Sequence, residues 1–210
     1  MTRVTILDYG MGNLRSVQKA IQRVGGEALI STEVPKEGRL IIPGVGAFGA
    51  AMECIEPKRE AILRFANANL PLLGICLGQQ LLFDSSEELV SRPASQRSTL
   101  SGEHRGLGLI PGRVRYFRPD LGLKVPHVGW NEVRFKSEEG LGSEIEKGSS
   151  CYFVHSLITE CAEPNDILAT TEYGETFASA VRRGNVWGTQ FHPEKSGEVG
   201  LKMLENFLKC

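Results

Sequence analysis

Leu72-Leu73-Gly74-Ile75-Cys76-Leu77-Gly78-Gln79-Gln80-Leu81-Leu82-Phe83 reads as a short buried apolar strand, a sharp turn carrying a cysteine between two glycines, and then a helix. Gly74-x-Cys76-x-Gly78 is the thiol counterpart of the Gly-x-Ser-x-Gly nucleophile elbow. A nucleophile in such a turn has a strained backbone, and the flanking glycines keep Cβ atoms out of its crowded surroundings. The helix that follows aims free N–H groups and the positive end of its dipole at the sulfur, which favours negative charge there. The N–H of Leu77, the residue after the nucleophile, points where an oxyanion would form. An isolated Cys is more often an inert buried side chain. The two glycines and the polar Gln79-Gln80 pair argue against that reading here.

Upstream of the elbow the chain alternates strands and helices. Val4-Thr5-Ile6-Leu7 is a β-branched run that ends in the turn Asp8-Tyr9-Gly10-Met11-Gly12-Asn13. Asn13 suits a helix N-cap. Leu14, Val17, Ile21 and Val24 then recur at helical spacing, and Gly25-Gly26 closes the element. Residues 27–31 and 40–42 read as two more strands, and 53–69 as helix interrupted near Pro57. This rhythm predicts an α/β fold: a mostly parallel central sheet flanked by helices. Ligands of such sheets lie outside the carboxyl ends of the strands. Cys76, the 10–13 turn and the 43–49 loop all occupy that kind of position.

Pro43-Gly44-Val45-Gly46-Ala47-Phe48-Gly49 contains G-x-G-x-x-G after a strand and before a helix. It is not a dinucleotide fingerprint. It follows the third strand rather than opening the fold, and residues 64–69, where a ribose-binding acid belongs, contain none. Its glycines instead allow close backbone approach to a small ligand, with bare N–H groups facing it. The alternative is a glycine-rich turn that binds nothing.

Downstream, 84–88 is acidic and 91–104 is a Ser- and Arg-rich loop of weak periodicity. Beyond it, 113–117, 131–135, 151–157, 167–173, 178–181 and 185–190 read as short alternating strands, with a hairpin turn at Gly184-Asn185. They add antiparallel strands to the parallel sheet in the C-terminal half. A terminal helix over 198–208 turns Val199, Met203, Leu204, Phe207 and Leu208 inward, with Ser196 as its N-cap. No repeat or linker divides the chain, so a single domain over 1–210 is expected.

The 210 residues suffice for a substantial core. With 41% hydrophobic and 23% charged residues the chain is of ordinary globular composition, and its net charge of −1 gives no electrostatic case for nucleic acid or an anionic membrane. Five cysteines without a C-x-x-C pair argue against a disulfide framework or a zinc ribbon. Cys54, Cys151, Cys161 and Cys210 are expected to be reduced bystanders, and no metal or cofactor is called for. The first residues lack the apolar core of a signal peptide, and no uninterrupted apolar run reaches transmembrane length. A cytoplasmic protein is expected.

A thiol nucleophile needs a base, and the base needs a group that fixes its tautomer. Of His104, His127, His155 and His192, the first lies in the polar loop and is expected to be solvated. His192 leaves the last strand two residues before Glu194. Residues two apart in an extended segment face the same side, and Pro193 stiffens the backbone between them. Glu194 can therefore hold one ring nitrogen of His192 while the other faces Cys76. A surface His-Pro-Glu turn without a partner is the alternative.

With Cys76, His192 and Glu194 assembled, the sequence resembles the class I (triad) glutamine amidotransferases. The matching pieces are Pro43-Gly44-Val45-Gly46, Gly74-Ile75-Cys76-Leu77-Gly78-Gln79-Gln80 and His192-Pro193-Glu194. Finer matches resemble the glutaminase subunits that serve histidine biosynthesis: Asp8-Tyr9-Gly10-Met11-Gly12-Asn13, Pro126-His127-Val128-Gly129-Trp130-Asn131, Tyr152-Phe153-Val154-His155-Ser156 and His192-Pro193-Glu194-Lys195-Ser196. These runs span residues 8 to 196. The resemblance implies hydrolysis of glutamine through a Cys76 thioester, with His192 shuttling the proton and Glu194 orienting it. It implies an oxyanion hole from the N–H of Leu77 and an N–H of the loop that holds Val45 and Gly46, and substrate contacts at Gly46, Gln80 and Ser156. It also implies a heterodimer with a (β/α)8 synthase barrel that takes up the ammonia, with Asn13, His127, Trp130 and Lys195 near the shared surface. Two departures stand out: Leu157 replaces a usually aromatic residue, and the 91–105 loop is long. The alternatives are a glutaminase subunit of another synthase, such as those for anthranilate or pyridoxal phosphate, a cysteine hydrolase of the same architecture, and a regulatory module that has lost catalysis. The 126–131 run argues against the first and the intact triad against the last.

Overall fold

The computed structural model describes residues 1–88 and 104–210, so the 91–105 loop lies outside the described residues up to residue 103. In chain order the first elements are β1 (Arg3–Leu7), α1 (Leu14–Arg23), β2 (Glu27–Ser31), β3 (Arg39–Gly44), α2 (Phe48–Ile55), α3 (Arg59–Asn67), β4 (Leu72–Cys76) and α4 (Leu77–Leu81). There follow β5 (Phe83–Ser86), β6 (His104–Arg105), β7 (Ile110–Tyr116), β8 (His127–Glu132), β9 (Arg134–Phe135), β10 (Ser150–His155) and β11 (Leu157–Cys161). The chain ends with β12 (Ile167–Tyr173), β13 (Glu175–Arg183), β14 (Val186–Thr189) and α5 (Gly197–Phe207).

Strands β2-β1-β3-β4-β14 lie side by side and run parallel. Beyond β14 the same sheet continues as β13-β11-β7 in antiparallel order, with β5 parallel to β7 at the far side. The expected parallel sheet extended by antiparallel C-terminal strands is therefore what forms. The hairpin at Gly184-Asn185 joins β13 to β14 in antiparallel register. Strands β8 and β10 stand apart as a two-stranded ribbon.

Alternate residues of the central strands feed two separate cores. Ile41, Leu73 and Ile75 pack with Val17 and Ile21 of α1 and with Met203, Leu204 and Phe207 of α5. Leu40, Ile42 and Leu72 pack on the other face with Phe48, Ala51 and Ile55 of α2 and Ile62 and Phe65 of α3. Covering both faces is why β3 and β4 read as unbroken apolar runs rather than alternating ones. Burying each such Leu or Ile contributes about 1.5–3 kcal/mol.

Several local expectations are corrected. The helix expected over 53–69 starts earlier, at Phe48; its expected interruption near Pro57 is a 3-10 turn at Glu56–Lys58, where Pro57 has no N–H to give. Phe83–Ser86 is a strand: pairing with β7 and β6 outweighs its polar composition. The single strand expected over 151–157 is two, β10 in the ribbon and β11 in the large sheet, parted at Ser156. Neither Asn13 nor Ser196 caps its helix with a side-chain hydrogen bond. The Ser196 hydroxyl instead donates to the His192 carbonyl at 2.6 Å and accepts from the Tyr152 N–H at 3.0 Å. It pins the segment that carries His192 to the ribbon. Nor is His104 freely solvated: it is half-buried, pairs with Ser86, and lays its ring 6.3 Å from that of Phe48.

Candidate active site

Cys76 ends β4 and opens α4 with φ 55° and ψ −110°, a left-handed backbone that a non-glycine residue adopts at a cost of roughly 1–3 kcal/mol. The flanking glycines make the turn possible by close approach. A Cβ on Gly78 would stand 1.8 Å from the Ile42 carbonyl oxygen, and one on Gly74 would stand 2.4 Å from the carbonyl oxygen of Gly78. No side chain fits at either position, so the first turn of α4 lies directly against β3. The elbow expected from the spacing is present.

Parallel pairing of β14 with β4, Thr189 opposite Ile75, carries His192 to the same end of the sheet as Cys76. Nδ1 of His192 meets Oε1 of Glu194 at 2.8 Å, with 3% and 1% of the two side chains exposed. Among the described residues Nε2 has no partner other than the Cys76 sulfur it faces. Burial disfavours the imidazolium, but the Cys76 and Glu194 interactions outweigh it and push the His192 pKa up to about 9. The ring therefore holds its proton at neutral pH, between a sulfur and a carboxylate.

A pocket of about 330 Å³ opens above these groups. Cys76, Leu77, Val45, Gly46, Gln80, Ser156 and His192, all expected site residues, line it. Glu194 stands behind His192. Gly46 has φ +103°, which suits glycine alone, and Val45 beside it is well exposed at the pocket mouth. The root of this loop is held more tightly: the Tyr9 hydroxyl donates to the Pro43 carbonyl at 2.7 Å.

The residues expected near a partner surface divide. Trp130 is 59% exposed, and Lys195 is exposed, its Nζ 6.0 Å from the centre of the Tyr152 ring. Asn13 is half-buried. His127 lies beneath that surface rather than on it: it is 3% exposed, its ring stacked on Tyr173 and Phe153, with Nδ1 3.0 Å from Nε2 of His155. The inward face of β8 places it there, because the outward positions belong to Val128 and Trp130. Burial lowers the pKa of His127, and burial first, then the neighbouring His127 and His192, lowers that of His155 to about 3. Both rings are neutral.

Two titratable pocket residues escaped the sequence reading. Glu88 lines the pocket and accepts the N–H of Phe48, at the start of α2, with its carboxylate. Its only sequence signal was membership of an acidic run. His155 lines the pocket as well, and nothing local distinguished it from a core histidine. Leu157, where an aromatic residue was expected, is buried at the pocket wall. Among the described residues no cluster of His, Cys, Asp and Glu is arranged to hold a metal ion, and no helix is long and apolar enough to cross a membrane.

A strained nucleophile elbow, a buried His–Glu pair and a glycine loop at the carboxyl end of a parallel sheet are the working parts of a thiol-dependent hydrolase. The profile of the glutamine amidotransferase class-I family matches residues 6–210, and the chain belongs to that family. At the level of individual proteins it is 49% identical, over all of its own length and 99% of the relative's, to the imidazole glycerol phosphate synthase subunit HisH of Methanosarcina acetivorans. It is 43% identical to the subunit of the same name from Bacillus cytotoxicus, over 97% of this chain and 93% of that one. Among solved structures, PurLQS from Thermotoga maritima superposes with a TM-score of 0.69 at 18% identity, covering 100% of this chain and 99% of that one. A crystal structure described as a glutamine amidotransferase gives 0.69 at 20% identity, covering 99% of each chain. These two likenesses concern the fold.

Proposed function

We propose that this chain is the glutaminase subunit of an imidazole glycerol phosphate synthase, a single cytoplasmic domain that hydrolyses glutamine and passes the ammonia to a (β/α)8 synthase subunit. The observation that carries the reading is the meeting of Cys76, His192 and Glu194 at one small pocket. The sulfur attacks the side-chain amide carbon of glutamine. The resulting oxyanion is held by the N–H of Leu77 and an N–H of the loop bearing Val45 and Gly46, and losing one such donor costs about 100- to 1,000-fold. His192 gives its proton to the departing ammonia, leaving a γ-glutamyl thioester on Cys76. The neutral ring then takes a proton from water, hydroxide displaces the sulfur, and glutamate leaves. Glu194 keeps the ring's tautomer and orientation through both halves.

The pocket suits an amino acid at its other end. Glu88 offers a carboxylate to the α-ammonium, and Gln80 and Ser156 offer polar atoms beside it. Val45 and Val154 at the pocket, with Val128 and Trp130 on the strand paired to that of Val154, expose apolar surface, the kind of patch a partner covers. Docking there would shield the ammonia exit from water, and Asn13 and Lys195 would lie at its rim. The barrel would combine the ammonia with a phosphoribulosyl-formimino aminoimidazole carboxamide ribonucleotide.

The test is glutamine hydrolysis measured with and without the cognate barrel and its nucleotide. Little turnover alone and strong stimulation by the loaded barrel are expected. Vigorous unassisted turnover that the barrel leaves unchanged would overturn the subunit assignment.

A further inference from the structure

The buried amides behind Cys76 form a hydrogen-bond chain in which each orientation is dictated by a neighbour. The chain starts at the Leu157 carbonyl, which can only accept. His155 Nδ1 lies 2.8 Å from that oxygen and Gln80 Nε2 lies 3.3 Å from it, so both carry hydrogen toward it. With Nδ1 protonated and the ring neutral, His155 Nε2 is a bare acceptor, and His127 Nδ1 must donate to it at 3.0 Å. The second N–H of Gln80 then reaches the Gln190 side chain at 3.0 Å, and the atom it meets must be the carboxamide oxygen. The remaining Gln190 atom is the nitrogen, and it lies 3.8 Å from the sulfur of Cys76. The flip ambiguity that ordinarily attends a glutamine amide is thereby removed.

Besides His192, the sulfur's other hydrogen-bond contact among the described residues is the Val154 carbonyl at 3.9 Å, which accepts a thiol proton but cannot serve a thiolate. With the proton on Nε2 of His192 and the sulfur ionised, the Val154 contact has no hydrogen to receive, while the Gln190 N–H keeps its own. Gln190 is fully buried, so no water competes for that donor. We infer that Gln190 is a second hydrogen-bond donor to the nucleophilic sulfur, sustaining the thiolate alongside His192, and that Gln80 and, through the Leu157 carbonyl, the neutral His155–His127 pair are the positioning residues that aim it. The assignment rests on reading Cys76 as the nucleophile, though not on which amide it attacks.

Alkylation of Cys76 by iodoacetamide isolates this role, because it requires neither glutamine, nor the oxyanion loop, nor the barrel. A bond forms between Sγ and the reagent's methylene carbon and iodide leaves, so the rate at fixed neutral pH follows the thiolate. In the full-length chain the Cys76-containing peptide is quantified by mass spectrometry, which separates it from exposed Cys54. Gln190→Met, which keeps length and loses the donor, should slow the reaction about tenfold, the worth of one hydrogen bond to a charged group. Gln190→Leu is the second variant should the first unfold, and a thermal melt reports which of them is folded. A merely structural glutamine would lower the melting midpoint or raise KM for glutamine while leaving alkylation within twofold of the parent, and that result would overturn the inference. Slowed alkylation in a chain that hydrolyses no glutamine with any barrel would defeat the proposed function and leave the donor in place.

Discussion

At the carboxyl ends of β4 and β14 lies the pocket of about 330 Å³ that holds Cys76 and His192; at the amino ends of the same strands a groove of about 860 Å³ is bordered by Asn69, Pro71, Asn185 and Trp187. The groove is the larger by far and carries more charged side chains, among them Glu139, Glu144, Arg182 and Lys209. Three of those four charges are engaged by neighbouring side chains. Lys202 pairs with Glu144, Lys209 with Glu205, and the Arg182 guanidinium sits 4.1 Å above the Trp187 ring. In the pocket the opposite holds. Among the described residues Glu194 Oε2 is buried without a hydrogen-bond partner and His192 Nε2 has only the Cys76 sulfur, and two histidines are driven far from their ordinary pKa in opposite directions. Volume does not mark the chemistry; convergent polar groups with unmet valence do.

The sharpest way to break this contrast is to remove one group from each cavity. Cys76→Ala should abolish glutamine-dependent turnover, a loss on the order of 10⁶-fold by the precedent of nucleophile deletions, while the complex keeps its synthesis from added ammonium. Losing both activities would make the cysteine structural. Glu194→Gln comes next. It preserves the shape but not the tautomer control of His192, and turnover should fall on the order of 10⁴-fold, read as kcat of the assembled enzyme.

The two displaced histidines give the contrast a pH signature. His192 binds its proton more tightly folded (about 9) than unfolded (about 6.5), so its contribution is complete below pH 6.5 and disappears as pH rises through 9. Its size is on the order of 3 kcal/mol. His155, at about 3, acts in the other direction: its neutral burial contributes fully above pH 6.5 and is lost as pH falls toward 3. Urea unfolding at pH 7 and pH 9 should show the alkaline loss in the parent and a flatter limb in His192→Gln. An identical limb in both proteins would remove His192 as its source.

Glu88→Gln is a smaller perturbation inside the same pocket. It should raise KM for glutamine about tenfold and spare kcat, because an α-ammonium contact is made equally in ground and transition states. A fall in kcat at constant KM would instead tie Glu88 to the geometry of α2 and the glycine loop, through its bond to the Phe48 N–H. Smallest of all is Arg182→Ala in the groove. Turnover should stay within about twofold of the parent, with stability lowered by about 0.5–1 kcal/mol for the lost cation–π contact. A large activity loss there would show the big groove to be functional and erase the contrast.

How much of this was legible beforehand depended on how far apart the cooperating residues lie. The elbow was readable because its requirement is local: glycines two residues either side of Cys76, each with a carbonyl where a Cβ would go. The His192–Glu194 pair was readable for the same reason, two side chains on one side of a proline-stiffened turn. The Ser156 break was not, since it arises where the chain leaves the ribbon with β8 and joins the large sheet beside β7. Ser196 looked like a cap and is a strut, because the Tyr152 N–H and the His192 carbonyl compete for its hydroxyl and win. His127 sits in a run shared with partner-facing positions, yet strand alternation and the aromatic side chains around it turn it inward.

By itself, the sequence determined the chemistry available to this protein: one strained thiol, one imidazole with its carboxylate, and glycines that let backbone N–H groups approach a ligand. Only the tertiary structure decided which atoms meet, because β14 enters the sheet beside β4 after the whole antiparallel extension has been laid down. That pairing brings His192 to Cys76, sets Gln190 behind the sulfur, and buries both tightly enough that their remaining hydrogen-bonding capacity points at each other or at whatever fills the pocket.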